Sequence, residues 1–580
     1  MNSSTPRHSF RWILVTWTVL ALMIGLNALP QIEDLGLYYD EAFLAQQARG
    51  FVEPDRAGQH PMSVRSLELS GRPFPLRNAA YLGSLKSQLL IPAFALSEAN
   101  VRVLRTTTLI TALLALWLAM LWSSKLFGIY PTIIMGILVA CDPSFYFFSQ
   151  FEWGPFTTNF LCRAAGALLV VVAWQASSDK KALFAATGAG LVLGLGIFSR
   201  ADFAVILACV GAAIILCRPD LVRRAWREKK GAVIAGFASF FVAALPTLIS
   251  SLDILSSSQA VGDRGDFAFR LGVLTRVLDG SQFYRILLSG GLFERAPDFE
   301  SPRGLLVFIL IPAALWLAFD AFRPRPDTLS RRRDPKVFLL VLTGLLLGAM
   351  LALPGAVRAH HQLNALPLPQ LIVACAAVSL WQSNASLTRR ALRRTLAGIA
   401  LGGLILGNLH LIQRTEQEIT TTGGRGRFTP SLSQLAQQLD RQPDAQDTQV
   451  VSLDWGFHEP LLFLSHQIQM HEPIWKIPQV LGRGQPWTFT GDEKTIYLVH
   501  GPKYDLFGIG PSLLVAARIQ AEKGVQITPH GEREGETAFY SIRIPHPHTL
   551  RFDGQFQIKP LKRSRSSLPN PAPDRASDQH

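Results

Sequence analysis

Residues 11–43 read RWILVTWTVLALMIGLNALPQIEDLGLYYDEAF, and this stretch decides the fold class. Its first part, 12–30, is apolar over close to the roughly 20 residues that a helix needs to cross a bilayer core. Arg7 and Arg11 precede it and no small-residue cleavage site follows, so it reads as a retained signal anchor. About ten residues further on, Tyr38-Tyr39-Asp40-Glu41 sets an acidic pair among aromatic rings, close to the membrane surface. Ten more apolar stretches follow, at 105–123, 126–141, 159–177, 182–198, 203–217, 232–252, 304–322, 337–354, 366–382 and 396–413. The expected fold is a polytopic α-helical membrane protein with about eleven transmembrane helices.

Composition agrees, because 49% hydrophobic and 17% charged residues over 580 positions is too apolar for an ordinary soluble enzyme. The net charge of +14 does not point to nucleic acid. The basic residues stand in short clusters beside the spans, where they set topology. Arg7 and Arg11, Lys125, Lys180-Lys181, the runs 218–230 and 323–336, and 389–394 all fall on one side when the spans alternate. That side is expected to be cytoplasmic, at the inner membrane. Loops 31–104, 142–158, 253–303 and 355–365, the short 199–202 break, and everything after 413, are then extracytoplasmic. The expected domains are a transmembrane unit over 1–413, a small periplasmic α/β domain over 424–550 and a disordered tail over 551–580. Strands are expected at Thr448–Leu453, Thr495–Val499, Val525–Thr528 and Ala538–Ile544, with helices at Glu459–Ser465 and Pro511–Lys523. Helices along the interface are expected near 40–50, 81–95 and 267–288. Cys141, Cys162, Cys209, Cys217 and Cys375 all lie in apolar segments without metal-ligand spacing, so they read as core residues.

The candidate site residues are the polar side chains of the outer loops. Asp40 and Glu41 project about 100° apart on a helix, so one can face a site while the other caps or pairs with an arginine; the structural alternative is a simple helix N-cap. Glu152 sits between Phe151 and Trp153 near the bilayer surface, where burial raises a carboxyl pKa unless a cation or metal compensates; an aromatic belt with an incidental acid is the alternative. His360-His361, after Arg358, offer a phosphate ligand or a partner for a carboxylate from another loop, or are an interfacial loop only. Arg200 suits a lipid-linked phosphate or pairs with Asp202. Lys86 is a second phosphate candidate or snorkels to the interface. Asp320 is expected to pair with Arg323. The turn Asp454-Trp455-Gly456-Phe457-His458-Glu459 is either a ligand loop or a helix cap, and no nucleotide-binding glycine loop or Cys–His zinc pattern occurs.

Together these features resemble the GT-C glycosyltransferases, polytopic enzymes that use polyprenyl-phosphate sugars. The resemblance rests on Asp40-Glu41 after the first span, the interfacial stretch Tyr81 to Ala95, and Asn100-Val-Arg-Val-Leu-Arg105 leading into the second span. Lys125-Leu-Phe-Gly128, Asp142-Pro143 followed by Glu152, and His360-His361-Gln-Leu-Asn-Ala-Leu-Pro367 complete it. It covers roughly 1–415; the region after 423 does not match the C-terminal domains of the best-known members. The resemblance implies a polyprenyl-phosphate-linked sugar as donor, an unnamed acceptor, membrane lipids as partners, and an inverting transfer with Asp40 as base. Glu41 or Glu152 would orient the acceptor, or Asp40 and Glu152 would hold a divalent metal (Mg or Mn). Arg200, Lys86, His360 and His361 would meet the phosphate. The rival class is a secondary transporter or flippase, which predicts ionisable residues near the bilayer midplane in matched halves.

Overall fold

The computed structural model describes residues 6–56, 65–79, 81–256, 266–291, 302–322, 334–353, 358–382, 386–477, 487–519, 524–531, 535–546 and 548–552, with Val480, Arg483 and Gln485. Each of the eleven apolar stretches forms a helix. Eight of the described helices are long and apolar enough to cross a membrane, and Phe203–Cys217 with Pro219–Glu228 makes a ninth candidate broken by a 96° bend. Of the about eleven expected transmembrane helices, the remaining two are shorter apolar helices. Ile129–Ala140 has 12 residues, about 18 Å at 1.5 Å each against a core of roughly 30 Å. Leu306–Phe322, with 17 residues, is also short of the mark.

The helix Asp179–Ser199 lies against Lys230–Ser256 through glycines. A Cβ on Gly190 would sit 1.9 Å from the Gly236 carbonyl oxygen, and one on Gly194 2.4 Å from that of Phe240. Small residues one turn apart let the two backbones touch, which is how helices associate where lipid removes the hydrophobic drive. All five cysteines are buried and free. Near the other end of Leu306–Phe322, Asp320 pairs with Lys336 at 2.6 Å; its expected partner Arg323 lies outside the described residues.

The loop-bearing helix ends gather on one face. Leu82 forms a bridge with Arg200, Ser144 Oγ donates to the Val277 carbonyl at 2.7 Å, and Gln370 Nε2 donates to Asp142 Oδ2 at 2.8 Å. The amide of Gly304 donates to the Asp279 carbonyl at 2.9 Å. The first loop forms the helix Tyr39–Val52, a small antiparallel sheet and the helix Leu85–Leu96. That sheet runs β1 (Arg65–Leu69), β2 (Arg72–Ala79), β3 (Leu82–Gly83), and periodicity did not anticipate it. The stretch 267–288 forms two helices, Phe267–Leu278 and Ser281–Leu288, broken at Gly280 with φ +79°. Parts of the third and fourth loops, 257–265, 292–301 and 354–357, and the tail from 553 lie outside the described residues.

The last membrane helix, Leu387–Thr422, runs out of the bundle and stops at Gly423, whose φ of +71° no β-carbon-bearing residue adopts cheaply. Beyond it stands a five-stranded sheet in the order β5 (Gln469–His471), β4 (Gln449–Ser452), β7 (Thr495–His500), β9 (Thr537–Arg543), β8 (Gln526–Gly531). The first three strands are parallel and the last two antiparallel to their neighbours. Ile496 and Leu498 pack under the helices Ser431–Asp440 and His458–Leu464, while Tyr497 and Val499 pack under Ile509–Ile519. Burial on both faces explains why this strand reads as an unbroken apolar run. A separate two-stranded pair, β6 (Trp487–Thr490) with β10 (Thr549–Phe552), flanks it.

Candidate active site

Asp40 and Glu41 occupy the first turn of the helix Tyr39–Val52, where the helix dipole favours negative charge. Their surroundings differ. Glu41 is buried; its Oε1 accepts the Tyr38 amide at 3.3 Å and Arg105 Nη2 at 3.1 Å, and its Oε2 accepts Arg105 Nε at 2.9 Å. The capping alternative thus describes Glu41, which is sealed away from any substrate. Asp40 is half-buried. Burial raises its pKa to about 6, against the pull of Arg358 and Arg200.

Lys86 and Glu152, expected to meet substrate separately, meet each other at 2.6 Å. Lys86 Nζ also donates to Thr108 Oγ1 at 2.6 Å. The other Glu152 oxygen accepts the Thr157 hydroxyl at 2.7 Å and the Thr157 amide. Glu152 is therefore held through both oxygens, by Lys86 on one and Thr157 on the other. Lys86, expected to meet a phosphate, is thus engaged by Glu152 and Thr108. Among the described residues no group of three or more His, Cys, Asp or Glu is arranged to hold a metal ion.

Arg200, Asp202, His360 and His361 do come together. Arg200 Nη2 lies 2.8 Å from His360 Nε2 and 2.9 Å from His361 Nε2, and His361 Nδ1 lies 2.8 Å from Asp202 Oδ2. A guanidinium only donates, so both imidazoles accept from it and His361 donates through Nδ1 to the carboxylate. Arg200 Nε stands 3.5 Å from Asp202 Oδ1, the expected pair. Burial pushes Asp202 upward, but Arg200 and His361 outweigh it and hold its pKa at about 2. Gly154 passes directly above: at φ +60°, a Cβ there would lie 3.1 Å from Arg200 Nη1 and 3.8 Å from the His360 ring. The loop bearing Glu152 thus closes onto the cationic cluster.

Beside Arg200 a cavity of about 210 Å³ is lined by Arg65, Arg77 and Tyr81 from the first loop and by Phe198, Pro246 and Ile249 from membrane helices. The Ala201 amide donates to the Tyr81 carbonyl at 3.1 Å, so the cavity wall is continuous with the Arg200 cluster. Its lining joins cations to an apolar floor.

The C-terminal sheet region also reaches the site. Trp455 stands 4.9 Å from Tyr39 and edge-on to Tyr38 at 5.6 Å, and Tyr38 stacks on Phe428 at 4.8 Å and tilts against Trp153 at 5.2 Å. Tyr39 Oη donates to Glu472 Oε2 at 3.5 Å, as does Trp475 Nε1 at 2.9 Å; burial raises the Glu472 pKa to about 7. Arg49 is fully buried and donates to the Phe463 carbonyl and, at 3.3 Å, to that of Ser465. In the turn 454–459, Asp454 accepts Arg427, the Trp455 amide and His500; it is structural, and the turn's contribution to the site is Trp455. Sequence reasoning gave no role to Glu472, named Trp455 only within the turn 454–459 and Tyr81 only as the start of an interfacial stretch, and placed Arg105 only in the run-in to the second span.

A polytopic helical bundle with its first-loop acid near a buried cationic cluster is the arrangement that the resemblance to GT-C enzymes leads one to expect. Solved structures share this fold. ArnT from Cupriavidus metallidurans in the apo state matches with a TM-score of 0.51 and 12% identity over 91% of this chain and 98% of its own. ArnT bound to undecaprenyl phosphate matches at 0.52 and 11%, over 91% and 97%. The Archaeoglobus fulgidus oligosaccharyltransferase matches at 0.52 and 15%, over 84% and 69%. At these identities the fold is what is shared. No protein family and no curated protein matches the chain in sequence.

Proposed function

We propose that this protein transfers a glycosyl group from a polyprenyl-phosphate sugar to an acceptor hydroxyl at the extracytoplasmic face of the inner membrane. The observation that carries the reading is Asp40, half-buried at the head of its helix, under the electrostatic influence of Arg358 and Arg200. An ArnT structure of the same fold is bound to undecaprenyl phosphate, which favours this class of donor. Asp40 takes the acceptor proton as the hydroxyl oxygen attacks the anomeric carbon. The bond from that carbon to the phosphate oxygen breaks, its electron pair leaves on the polyprenyl phosphate, and the anomeric centre inverts. Arg200, supported by Asp202, His360 and His361, and Arg358 stabilise the charge gathering on that phosphate. The cavity lined by Arg65, Arg77 and Tyr81 admits the lipid end. Glu152 and Lys86 serve as scaffold through their mutual pairing.

The test uses purified protein in nanodiscs with a panel of radiolabelled undecaprenyl-phosphate sugars. Release or transfer of label by wild type, lost in Asp40→Asn, is expected. Equal turnover by both proteins moves the base elsewhere, and absence of turnover with every donor, in folded protein, overturns the reading.

A further inference from the structure

We infer that Arg105 is the positioning residue that fixes Asp40 relative to the loop carrying Glu152. The inference rests on the glycosyl-transfer reading and adds a residue to it. Arg105 is fully buried in the second turn of the helix Val101–Phe127. A guanidinium has five N–H donors, and here each has an acceptor. Nη1 donates to the carbonyls of Ile32 at 2.8 Å and Leu35 at 2.7 Å, and Nη2 to that of Gly36 at 3.0 Å and to Glu41 Oε1 at 3.1 Å. Nε donates to Glu41 Oε2 at 2.9 Å. Asp40 lies between Gly36 and Glu41, so the fork grips the chain on both sides of it.

The second loop is held by the same helix. The Arg105 guanidinium covers the Phe151 ring at 4.7 Å, and Phe151 adjoins Glu152. One turn further along, Thr108 receives Lys86, which pairs with Glu152. Arg105 and Thr108, three residues apart on one helix face, thereby hold the two acid-bearing segments in one frame. Nothing in this arrangement touches substrate. Its effect is to keep Asp40 where an acceptor proton and the anomeric carbon can be reached together, and misplacement by about 1 Å costs on the order of 100-fold in rate.

The experiment compares wild type, Arg105→Lys, Glu41→Gln and the double variant Arg105→Met/Glu41→Gln in nanodiscs, by donor turnover and by amide hydrogen exchange. Arg105→Lys keeps the charge but offers three donors in place of five. It is expected to lower kcat by roughly 100-fold with the donor KM within a few-fold of wild type. It should also speed exchange across 32–43 and 145–152 while leaving the strands 449–452 and 495–500 unchanged. Glu41→Gln, nearly isosteric, removes a neighbouring negative charge and moves the acid limb of the pH–rate profile downward, a change that loss of packing alone does not produce. The double variant is expected to remain slow, because three carbonyls still lack their donors. Recovery of wild-type rate in the double variant would reduce Arg105 to a counter-ion and overturn the inference, as would unchanged exchange over 32–43 in Arg105→Lys. If wild type turns over no donor, glycosyl transfer fails while the exchange arm still decides whether the clamp exists.

Discussion

Lys86 Nζ lies 2.6 Å from Glu152 Oε2, with the two side chains only 3% and 4% exposed. Breaking a buried ion pair by removing one member leaves the other buried without its counter-charge. Glu152→Gln or Lys86→Met alone is expected to cost about 3–5 kcal/mol. The double variant should cost markedly less than the sum of the two. Thermal unfolding of the four proteins in nanodiscs measures the coupling. A Lys86→Met protein of unchanged stability but raised donor KM would return Lys86 to the phosphate.

Asp40 must be ionised to accept a proton. With its pKa raised to about 6 by burial, kcat/KM is expected to rise with pH through about 6 and level off above 7. Arg358 is the first of the charges that pull this value down, so Arg358→Gln moves the limb to higher pH and lowers the rate at pH 6.5 more than at pH 8. A pH–rate profile of both proteins decides; a limb that stays in place removes Arg358 from the neighbourhood of the base.

The spans and the acid-bearing loops were legible because an apolar run long enough to cross a bilayer has few other fates, and because Tyr38-Tyr39-Asp40-Glu41 follows one directly. The stretch 126–141 is short for a span already in the sequence, and its helix, Ile129–Ala140, is shorter still, since hydropathy alone does not fix where a helix begins. Side-chain partners were not legible. Arg105 meets Glu41 from 64 residues away and Arg200 meets His360 from 160, and neither pairing has a local period. Lys86 and Glu152 were read as separate substrate contacts, whereas helix packing brings them within 2.6 Å of each other. The sheet β1–β3 escaped because its strands carry Pro73 and Pro75 and lack clean alternation.

Arg49 joins the first-loop helix to the C-terminal region. Arg49→Met leaves the carbonyls of Phe463 and Ser465 without this donor, a loss of about 1–3 kcal/mol for each group left buried. Faster amide exchange over 458–466 is expected, together with reduced donor turnover, because Trp455 then loses its fixed position against Tyr39. Exchange altered with turnover intact would show that the C-terminal region does not shape the site.

Asp142 caps the short helix Pro143–Phe148, its Oδ1 accepting the Phe145 amide at 3.1 Å and its Oδ2 accepting Gln370 Nε2 at 2.8 Å. Burial is the largest influence on it and raises its pKa to about 7, whereas an unfolded aspartate titrates near 4. Between these values the folded state binds the extra proton, so stability falls as pH rises from about 4 to about 7, by an amount on the order of a few kcal/mol. The contribution is fully present below the unfolded value and lost above the folded one. Asp142→Asn removes this dependence. It keeps an oxygen for the Phe145 cap and presents an amide to Gln370, whose own Oε1 has no hydrogen-bond partner and turns to accept by a simple amide flip. The variant is therefore expected to match wild type at pH 5 and to exceed it at pH 8. Thermal midpoints at the two pH values check this, and a variant less stable than wild type at pH 8 would mean that the ionised carboxylate, not the neutral acid, is what the loop 142–158 is built around.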